Sequence, residues 1–382
     1  MAFLTKEWPT RAKNIQDAQT QFGPLASRMF DALLQGDPLA DAAVEGASAK
    51  WIDVAARGES PSEMPQAMRE LVRHCSEPPS WVDWERCDSA GRLLFRSGVA
   101  GGIVLGARSL IGGYAAPAGN KPLAFSGGLS ERVQFRLAET GRFVVATCTP
   151  RSLRPGGDGW GVTLRVRLMH AKVRQMLMAS PRWTTDDWGV PINQHDMVGT
   201  SLLFSTVFVD GIRMFGVPVS DAEEEDYVHL WRTSGWLMGV EEAIAPKDNF
   251  ESYRLGEFIR ETQGPPDEDS RALTRALLES PRLSMSNEMA TKHIALGQGF
   301  ARALLGEELA EGLGVPKVPQ RFVVPAVGAL VRAARVLAPR GTRARFEEYG
   351  RRYWARNVET GLAGRRATFS LPDMLLGVPK AA

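Results

Sequence analysis

The sequence is poor in cysteine and has no long hydrophobic run free of charge. Its three cysteines, Cys75, Cys87 and Cys148, lack the spacing of metal ligands, and an odd number offers no disulfide framework. Such sparse use of cysteine suits a reducing compartment. The longest apolar stretch, residues 322–337, is interrupted by a proline and two arginines, so we predict no transmembrane span. Because the first residues also lack a signal-peptide pattern, we expect a cytoplasmic protein.

Positive and negative charges are nearly balanced. The chain has 46 Lys and Arg residues against 44 Asp and Glu, a net charge of +2 over 382 residues. This balance gives no argument for nucleic acid as a partner. The arginine-rich run at residues 332–352 is best explained as a solvated face, with contact to a membrane surface as the alternative. With 44% hydrophobic residues, the composition is that of a globular protein with a large core.

Several motifs that mark common enzyme classes are absent. The sequence has no glycine-rich phosphate loop, no HExxH, no paired Glu-x-x-His and no Gly-x-Ser-x-Gly. Its five histidines do not form close pairs of metal ligands: His74, His170, His195, His229 and His293. A cofactor that needs one protein ligand is therefore easier to build here than one that needs three.

Helical periodicity dominates the chain, and no clear run of alternating strand residues appears, which predicts an all-α protein. We divide it into an N-terminal helical extension (1–55), a helical domain (56–320) and a helical or extended tail that packs on the core (321–382). The segment 91–113 is rich in glycine and alanine, and it predicts a buried helix that another backbone or a flat ligand can approach closely. Residues 220–223 have a capping-box pattern at a helix start.

The most informative helix surrounds His170. At 100° per residue, an apolar stripe forms on one side of this helix, and His170 lies within it; the stripe is Val162, Val166, Met169, Val173 and Leu177. Arg165, Lys172 and Gln175 fall on the opposite face. An imidazole on a buried helix face is either a hydrogen-bonded core residue or a ligand for a bound group. Spacing alone favours the core residue.

Several short motifs, in order and at approximately the right spacing over residues 60–250, resemble the latex clearing proteins (rubber oxygenases) and the wider MpaB-type oxygenase family. The motifs are Arg165–Arg174, Pro79–Asp83, the pair Gly127–Gly128, Arg136–Phe143, Pro191–Asp196 and Trp231–Val240. Any one of them alone would be a weak signal. Together they are specific enough to shift the interpretation of His170 towards a ligand.

The resemblance implies a single large multi-helix domain with a globin-like core, and it implies haem b as cofactor. The family's proximal haem ligand falls on His170, which would then be the metal ligand of the iron. Its distal arginine and threonine fall on Arg136 and Thr140, which are four residues apart and share a helix face. These two groups could hydrogen-bond bound dioxygen. Without the resemblance, Arg136 would be a surface arginine and Thr140 a mid-helix threonine.

Two positions depart from the family pattern. Glu139 stands where rubber oxygenases have a distal lysine, and Gly119 or Asn120 stands where they have a catalytic glutamate. Neither glycine nor asparagine can act as a base, so cleavage of polyisoprene by that mechanism is not implied. We expect a smaller hydrophobic substrate, lipid-like or terpenoid-like. Glu139 is retained as a catalytic candidate that supplies a carboxylate from a different position.

Other residues near these motifs have two interpretations each. Arg167 and Arg174 flank the histidine on the helical wheel, so either could pair with a haem propionate, and a solvated basic face is the alternative. His195 is a rival ligand, but its position in the family motif does not require histidine, so we interpret it as a surface or helix-start residue. Trp231 and Trp236 are core residues or an aromatic wall of a haem slot.

The leading hypothesis is a haem b-dependent oxygenase that acts with O2 on a small hydrophobic substrate, with Arg136, Glu139 and Thr140 as catalytic candidates. The alternative is a noncatalytic haem-binding or gas-sensing protein of the same fold, because the family's glutamate and lysine are missing. A third hypothesis is a helical protein without metal, in which His170 is an ordinary core residue.

Overall fold

The described chain is helical throughout. The computed structural model describes residues 7–125, 133–336 and 342–365, together with residues 367 and 369. Turns and loops join the helices, and no strand occurs among these residues. The prediction of an all-α protein from helical periodicity is therefore confirmed.

Twenty-one α-helices follow one another along the described residues. The N-terminal ones are α1 (Ile15–Phe22), α2 (Pro24–Asp31), α3 (Pro38–Val44) and α4 (Ala49–Ala56). The central ones are α5 (Gln66–Ser76), α6 (Trp84–Ala90), α7 (Arg92–Val104), α8 (Ile111–Gly113), α9 (Lys121–Phe125), α10 (Val133–Cys148), α11 (Asp158–Met178), α12 (Thr185–Trp188), α13 (Gln194–Phe204), α14 (Thr206–Met214), α15 (Asp221–Met238), α16 (Asn249–Thr262) and α17 (Glu268–Glu279). The last ones are α18 (Asn287–Leu305), α19 (Glu307–Gly312), α20 (Val323–Val336) and α21 (Thr342–Leu362). Short 3₁₀ segments lie at Ala32–Leu34, Ser280–Leu283 and Pro319–Phe322, and a π-helical segment lies at Leu105–Leu110.

The N-terminal helices pack into two different parts of the interior. α1 and α2 share one hydrophobic cluster with α13 and α16, in which the ring centroids of Phe30 and Phe258 are 5.3 Å apart. α3 and α4 instead pack on α11. A Cβ atom on Gly161 would lie 2.3 Å from the carbonyl oxygen of Ala56, so α4 crosses α11 closely. The described part of residues 1–55 is helical, and the boundary at residue 55 stays a prediction.

α11 runs through the interior and contacts α3, α4, α10 and α15. Leu164, Leu168 and Ala171 form a fully buried face, which the predicted apolar stripe does not include. The helix is therefore apolar on more than one side, as expected of a helix surrounded by other helices. α15, which contacts α11, begins with the predicted capping box between Ser220 and Glu223.

The glycine-rich segment is helical over residues 92–113, as predicted, except at Gly98, where a φ of 51° and a ψ of -127° kink the run. α7 continues through the π-helical segment into α8, and π segments are frequent at functional sites. A Cβ atom on Gly91 would lie 2.0 Å from the carbonyl oxygen of Cys148, and one on Gly350 would lie 1.7 Å from that of Phe95. The small residues thus let the backbones of α10 and α21 come close to this helix.

The C-terminal region adds two helices to the core. α21 packs along α7 and α10, and its buried Trp354 donates from Nε1 to the carbonyl of Leu94 at 3.3 Å. In the described part of residues 321–382, α21 is therefore packed against the other helices, and the division of the chain into an extension, a domain and a tail stays a prediction. The boundary at residue 320 stays a prediction.

Two helical stretches, Trp84–Gly113 and Gln194–Met214, are long and apolar enough to cross a membrane by length and composition. In each of them 56% of the most apolar window is buried inside the protein. A buried core helix has the same length and composition, so these stretches are weak evidence for a membrane span.

Candidate functional site

His170 lies on α11 beside an open part of its face. Val166 and Met169 share that face with His170, and all three residues keep partial exposure. Val162 and Val173, further along the same stripe in either direction, are buried. The accessible part of the stripe is thus bounded at both ends by closed packing. This is the arrangement that a group bound beside the imidazole would need.

The imidazole of His170 has no hydrogen bond to the described residues. Its Nδ1 atom is buried and has no polar partner. Burial lowers the pKa of His170 to about 4, and the positive charge of Arg174 acts in the same direction. The ring is therefore neutral near pH 7, which is the form that binds metals. Because a core histidine normally has a hydrogen-bond partner, the core-residue interpretation lacks the contact that it requires.

Three other histidines have polar contacts of their own. The Nε2 atom of His229 accepts the backbone N–H that precedes α6 at 3.0 Å, and the ring of exposed His293 contacts a carbonyl of its own helix at 2.8 Å. His195 lies at the start of α13, 3.4 Å from Asp196, which Arg11 binds through contacts of 2.8 and 2.6 Å. His195 is buried at a helix start, so the structure supports the structural interpretation of this rival ligand.

The residues that could hold a metal as a cluster are not assembled. In the described ranges, no group of three or more His, Cys, Asp or Glu side chains is placed to hold a metal ion. Burial raises the pKa of Cys75 and Cys87 to about 11 and that of Cys148 to about 12. These are neutral thiols rather than thiolate ligands at neutral pH. A cofactor with one protein ligand fits this chain better than a metal held by three side chains.

Arg167 and Arg174 are buried in ion pairs with the N-terminal region. Arg167 holds Asp37 through Nε and Nη2 at 2.7 and 2.9 Å, and its Nη1 donates to the carbonyl of Leu237 at 3.1 Å. Arg174 pairs with Asp41 and donates to two backbone carbonyls that precede α13. The sequence pattern led us to expect either a pairing with a haem propionate or a solvated basic face, but both guanidinium groups are buried and already bound to protein acceptors. The ion pairs with Asp37 and Asp41 instead hold α3 against α11.

Arg136 and Thr140 share a face of α10, as their spacing predicts. The Thr140 hydroxyl donates to the carbonyl of Arg136 at 2.9 Å, so its proton is used within the helix. The guanidinium of Arg136 has no hydrogen bond or ion pair among the residues that the structure describes. Burial lowers its pKa. By accessible surface Arg136 is only partly buried, and the negative charge of Glu139 on the same helix acts on it.

Arg136 and His170 lie at the same level of two neighbouring helices. Arg136 precedes the end of α10 at Cys148 by twelve residues, and His170 follows the start of α11 at Asp158 by twelve. α10 and α11 pack against each other, and a short connector joins them. Both side chains are therefore about 18 Å along the helix axes from that connector. The two residues therefore lie at equal distances along their helices from the connector, and their roles as distal and proximal groups stay predictions.

Glu139 is engaged by the C-terminal region. Its carboxylate accepts the backbone N–H of Phe369 at 2.8 Å. Nearby, the guanidinium of Arg365 lies 4.5 Å from the ring centroid of Phe135 on the same helix. The carboxylate at position 139 thus connects α10 to the end of the chain, a contact that local sequence patterns do not reveal.

Gly119 and Asn120, the two positions that we expected to match the family's glutamate, have structural contacts. Asn120 is buried, and its Nδ2 donates to the carbonyl of Tyr114 at 2.7 Å. A Cβ atom on Gly119 would lie 3.3 Å from a carboxylate oxygen of Asp196, so a longer side chain there would need its surroundings to move. The Gly127–Gly128 pair of the same motif lies outside the described residues.

Tyr114 is a residue of this region that sequence reasoning missed. It follows α8 directly, and the positive charge of Arg136 acts on its phenol. In the sequence, Tyr114 is a single tyrosine after a glycine-rich helix. It belongs to none of the family motifs and to no helical periodicity, so no pattern singles it out. The tryptophans, in contrast, are core residues as the simpler interpretation predicts: Trp231 stacks on Phe204 with centroids 5.0 Å apart, and Trp236 is buried.

Comparison with known proteins gives the class and the family. Residues 94–337 match a family described as ER-bound oxygenase mpaB/B'/rubber oxygenase, catalytic domain. The match covers more than half of the chain and contains α10 and α11. The protein is thus an enzyme of the oxygenase class, which acts on O2 and a substrate. More specifically, the chain belongs to the mpaB and rubber oxygenase family, as its motifs predicted.

Two relatives show how far the likeness extends. The rubber oxygenase of Streptomyces sp. (strain K30) is 25% identical over 283 residues, which are 73% of this chain and 68% of the relative. A solved structure of the latex clearing protein LCP in the closed state superposes with a TM-score of 0.68 at 24% identity. That superposition covers 84% of this chain and 88% of the other. The single large helical domain that we predicted is therefore the fold of this family.

Proposed function

We propose that this chain is a haem b-dependent oxygenase that acts with O2 on a small hydrophobic substrate, with His170 as the axial ligand. The observation that carries the proposal is the neutral imidazole of His170, which is partly exposed on an otherwise buried stretch of α11 and whose Nδ1 has no hydrogen-bond partner in the described residues. A neutral imidazole is a common axial ligand of haem iron. Val166 and Met169 supply apolar surface beside it, which suits the face of a porphyrin.

The site residues would have separate tasks. When bound, haem would supply the iron that binds and reduces dioxygen. Arg136 is the donor that can stabilise negative charge on a ligand oxygen, because its guanidinium makes no hydrogen bond to the described residues, although the charge of Glu139 acts on it. Thr140 can accept a hydrogen bond through its hydroxyl oxygen while the hydroxyl proton is donated to the Arg136 carbonyl. Glu139 holds the C-terminal segment through the Phe369 amide, so we propose a positioning role for it.

The proposed substrate follows from the asparagine that stands where we expected the family's glutamate. Asn120 cannot serve as a base, and its side chain is occupied by the Tyr114 carbonyl. This supports a small lipid-like or terpenoid-like substrate rather than the polymer in the name of the relative. The same observation favours the second candidate, a noncatalytic haem protein that binds a gas. Membership of an oxygenase family supports the enzyme over that candidate.

The test is to measure haem and oxygen consumption on the purified chain. We expect a Soret band and about one haem b per chain in the pyridine haemochrome assay, because one imidazole is offered to the iron. The reduced protein should consume oxygen faster with a hydrophobic lipid or terpenoid present than without it. Absence of haem from protein expressed with a haem supply would refute the proposal. Bound haem without any stimulated oxygen consumption would favour the gas-binding protein.

We also propose that the protein acts in the cytoplasm and that its C-terminal helices contact an anionic membrane surface. Residues 321–356 contain nine arginines and two glutamates, although the whole chain has a net charge of only +2. Large apolar side chains are exposed in the same region: Phe322 (64%), Leu330 (70%), Phe346 (47%) and Tyr349 (58%). Exposed apolar residues on helices within a basic segment are typical of peripheral binding to anionic lipid.

Vesicle sedimentation tests this membrane contact. We expect binding to phosphatidylcholine vesicles that contain about 30% phosphatidylserine, release by high salt, and little binding to phosphatidylcholine alone. Replacing Phe322 and Leu330 by serine should reduce binding severalfold. Phe250 is a matched control, because it is 71% exposed on α16, outside the basic segment; Phe250→Ser should leave binding unchanged. Equal binding by all three proteins would contradict the assignment of this surface.

A further inference from the structure

α10, which carries Arg136 and Thr140, packs against α11 and also against α21. α21 begins at Thr342, beyond residue 337, where the match to the family's catalytic domain ends. That match therefore assigns no role to α21. The contacts between α21 and α10 are close, and they fall on the part of α10 that carries the predicted distal residues.

The two helices approach each other where both have small residues. A Cβ atom on Gly361 of α21 would lie only 2.7 Å from the Cβ atom of Ala138, which is buried on α10. Carbon atoms in contact are normally about 3.5–4.0 Å apart. Three residues further along α10, a Cβ atom on Gly141 would lie 3.7 Å from a methyl group of Val358, which is ordinary contact. The spacing of the helices at Ala138 therefore requires glycine at position 361.

α21 is itself fixed on both sides of this contact. Before it, Trp354 donates from Nε1 to the carbonyl of Leu94 on α7 at 3.3 Å. After it, the backbone N–H of Phe369 donates to the carboxylate of Glu139 on α10 at 2.8 Å. Both Trp354 and Phe369 are buried. Because these contacts anchor α21 and the segment that follows it, α10 rests on a fixed support.

The supported face of α10 is opposite to the face of the predicted distal residues. At 100° per residue, Arg136 and Thr140 each lie about 160° around the helix from Ala138. All three residues lie within five positions of one continuous helix. A shift of α10 away from α21 at Ala138 would therefore move Arg136 and Thr140 in the same direction.

We propose that α21 is a positioning element of the site, and that Gly361 sets the distance between α21 and α10 and hence the placement of Arg136 and Thr140. The inference rests on the proposed function, because these two residues are the donors proposed for the distal side of haem. A methyl group at position 361 would force the helices apart from 2.7 Å to about 3.5–4.0 Å at this contact. A misplacement of about 1 Å is enough to impair a site strongly.

Gly361→Ala tests the proposal, with fluoride as the probe, since fluoride is a small haem ligand that accepts hydrogen bonds but donates none. In Soret titrations of the haem-loaded protein, the fluoride Kd should be about tenfold weaker, the effect of losing one hydrogen bond from a charged donor. Adding Ala138→Gly removes the atom that the new methyl group meets, so the double variant should regain most of the affinity. Gly264→Ala is the control, because a Cβ atom there has no heavy atom within 4 Å, and it should leave the Kd unchanged.

A second measurement uses haem-free protein. In Gly361→Ala, the amide hydrogens of α10 should exchange with D₂O severalfold faster than in the unmodified protein. The double variant with Ala138→Gly should restore slow exchange, although it has one more glycine in α10. The amides of α16, which packs on α1, α13, α14 and α15, should keep their rates in every variant. If Gly361→Ala does not fold, recovery of folding in the double variant replaces this readout.

The outcomes separate this proposal from the proposed function. Bound haem with an unchanged fluoride Kd in Gly361→Ala would overturn the positioning of the distal residues by α21. An effect that the double variant does not reverse would overturn the role of the contact between Gly361 and Ala138. A chain that binds no haem would refute the proposed function, and the exchange of the α10 amides would still decide whether α21 holds α10 in place.

Discussion

Replacing His170 by alanine is expected to abolish haem binding while leaving a folded protein. The imidazole of His170 combines a neutral ring, a buried Nδ1 without a partner in the described residues and partial exposure of the residue. Haem without an axial ligand keeps only its apolar contacts, so haem per chain in the pyridine haemochrome assay should fall more than about tenfold. Circular dichroism should still show an all-α protein. Added imidazole is expected to restore part of the Soret band by occupying the vacated position.

A second substitution at the same position distinguishes a ligand from a core residue. His170→Leu introduces an apolar side chain of similar size and removes a buried nitrogen that has no partner. The free energy of unfolding of the apoprotein should therefore fall by less than about 1 kcal/mol, or rise. A hydrogen-bonded core histidine would instead leave its partner unsatisfied, at a cost of about 1–3 kcal/mol. Urea unfolding of haem-free protein measures the difference.

The control for both variants is His293, which is exposed on α18 and contacts only a carbonyl of its own helix. His293→Ala should keep full haem content and unchanged stability. Full haem in His170→Ala would show that the iron has another ligand or none from this chain. In that case the proposed function would lose the observation on which it depends.

Local sequence patterns predicted what depends on neighbours along the chain. Helical periodicity gave the all-α class because side chains three and four residues apart share a face. The capping box at Ser220 and the helical segments within residues 92–113 also depend on residues that are close together in the sequence. Arg136 and Thr140 were placed on one face by the same spacing. The ligand hypothesis for His170 needed the family motifs as well, since an apolar stripe alone favours an ordinary core histidine.

Contacts between distant parts of the chain could not be predicted in this way. Asp37 and Arg167 are 130 residues apart, and Glu139 and the amide of Phe369 are 230 apart. No periodicity connects such pairs, so each charge was assigned to the nearest plausible partner, a propionate or a substrate. Tyr114 was missed for the same reason, because only in the folded chain does the charge of Arg136 act on its phenol. The sequence indicated Arg167 and Glu139 as candidate site residues, and the structure showed that they contact Asp37 and the amide of Phe369.

The buried ion pair between Asp37 and Arg167 is the place where a single substitution should destabilise this protein most. Both side chains are almost fully buried, with relative exposures of 5% and 4%. Asp37 also caps α3, where its carboxylate accepts the N–H of Ala40 at 3.2 Å. Asp37→Ala would leave the Arg167 guanidinium buried without its counter-charge. The expected loss in the free energy of unfolding is about 3–5 kcal/mol.

Asp53→Ala is the matched control. Asp53 pairs with Arg165, which lies on α11 as Arg167 does, but the Asp53 side chain is 57% exposed. A surface pair of this kind contributes about 0–1 kcal/mol, so this variant should unfold at nearly the same urea concentration as the unmodified protein. The double variant Asp37→Leu with Arg167→Met removes both charges at once. It should recover most of the lost stability, since no unpaired charge remains buried.

Haem content of the double variant decides between the two roles of Arg167. If Arg167 only fixes α3 to α11, the double variant keeps haem at the level of the unmodified protein once it is folded. If Arg167 held a propionate, haem would be lost although stability recovers. The hydrogen bonds of Arg167 to Asp37 and to the Leu237 carbonyl favour the first result. Loss of haem in a stable double variant would return Arg167 to the cofactor site and would require Asp37 to share it.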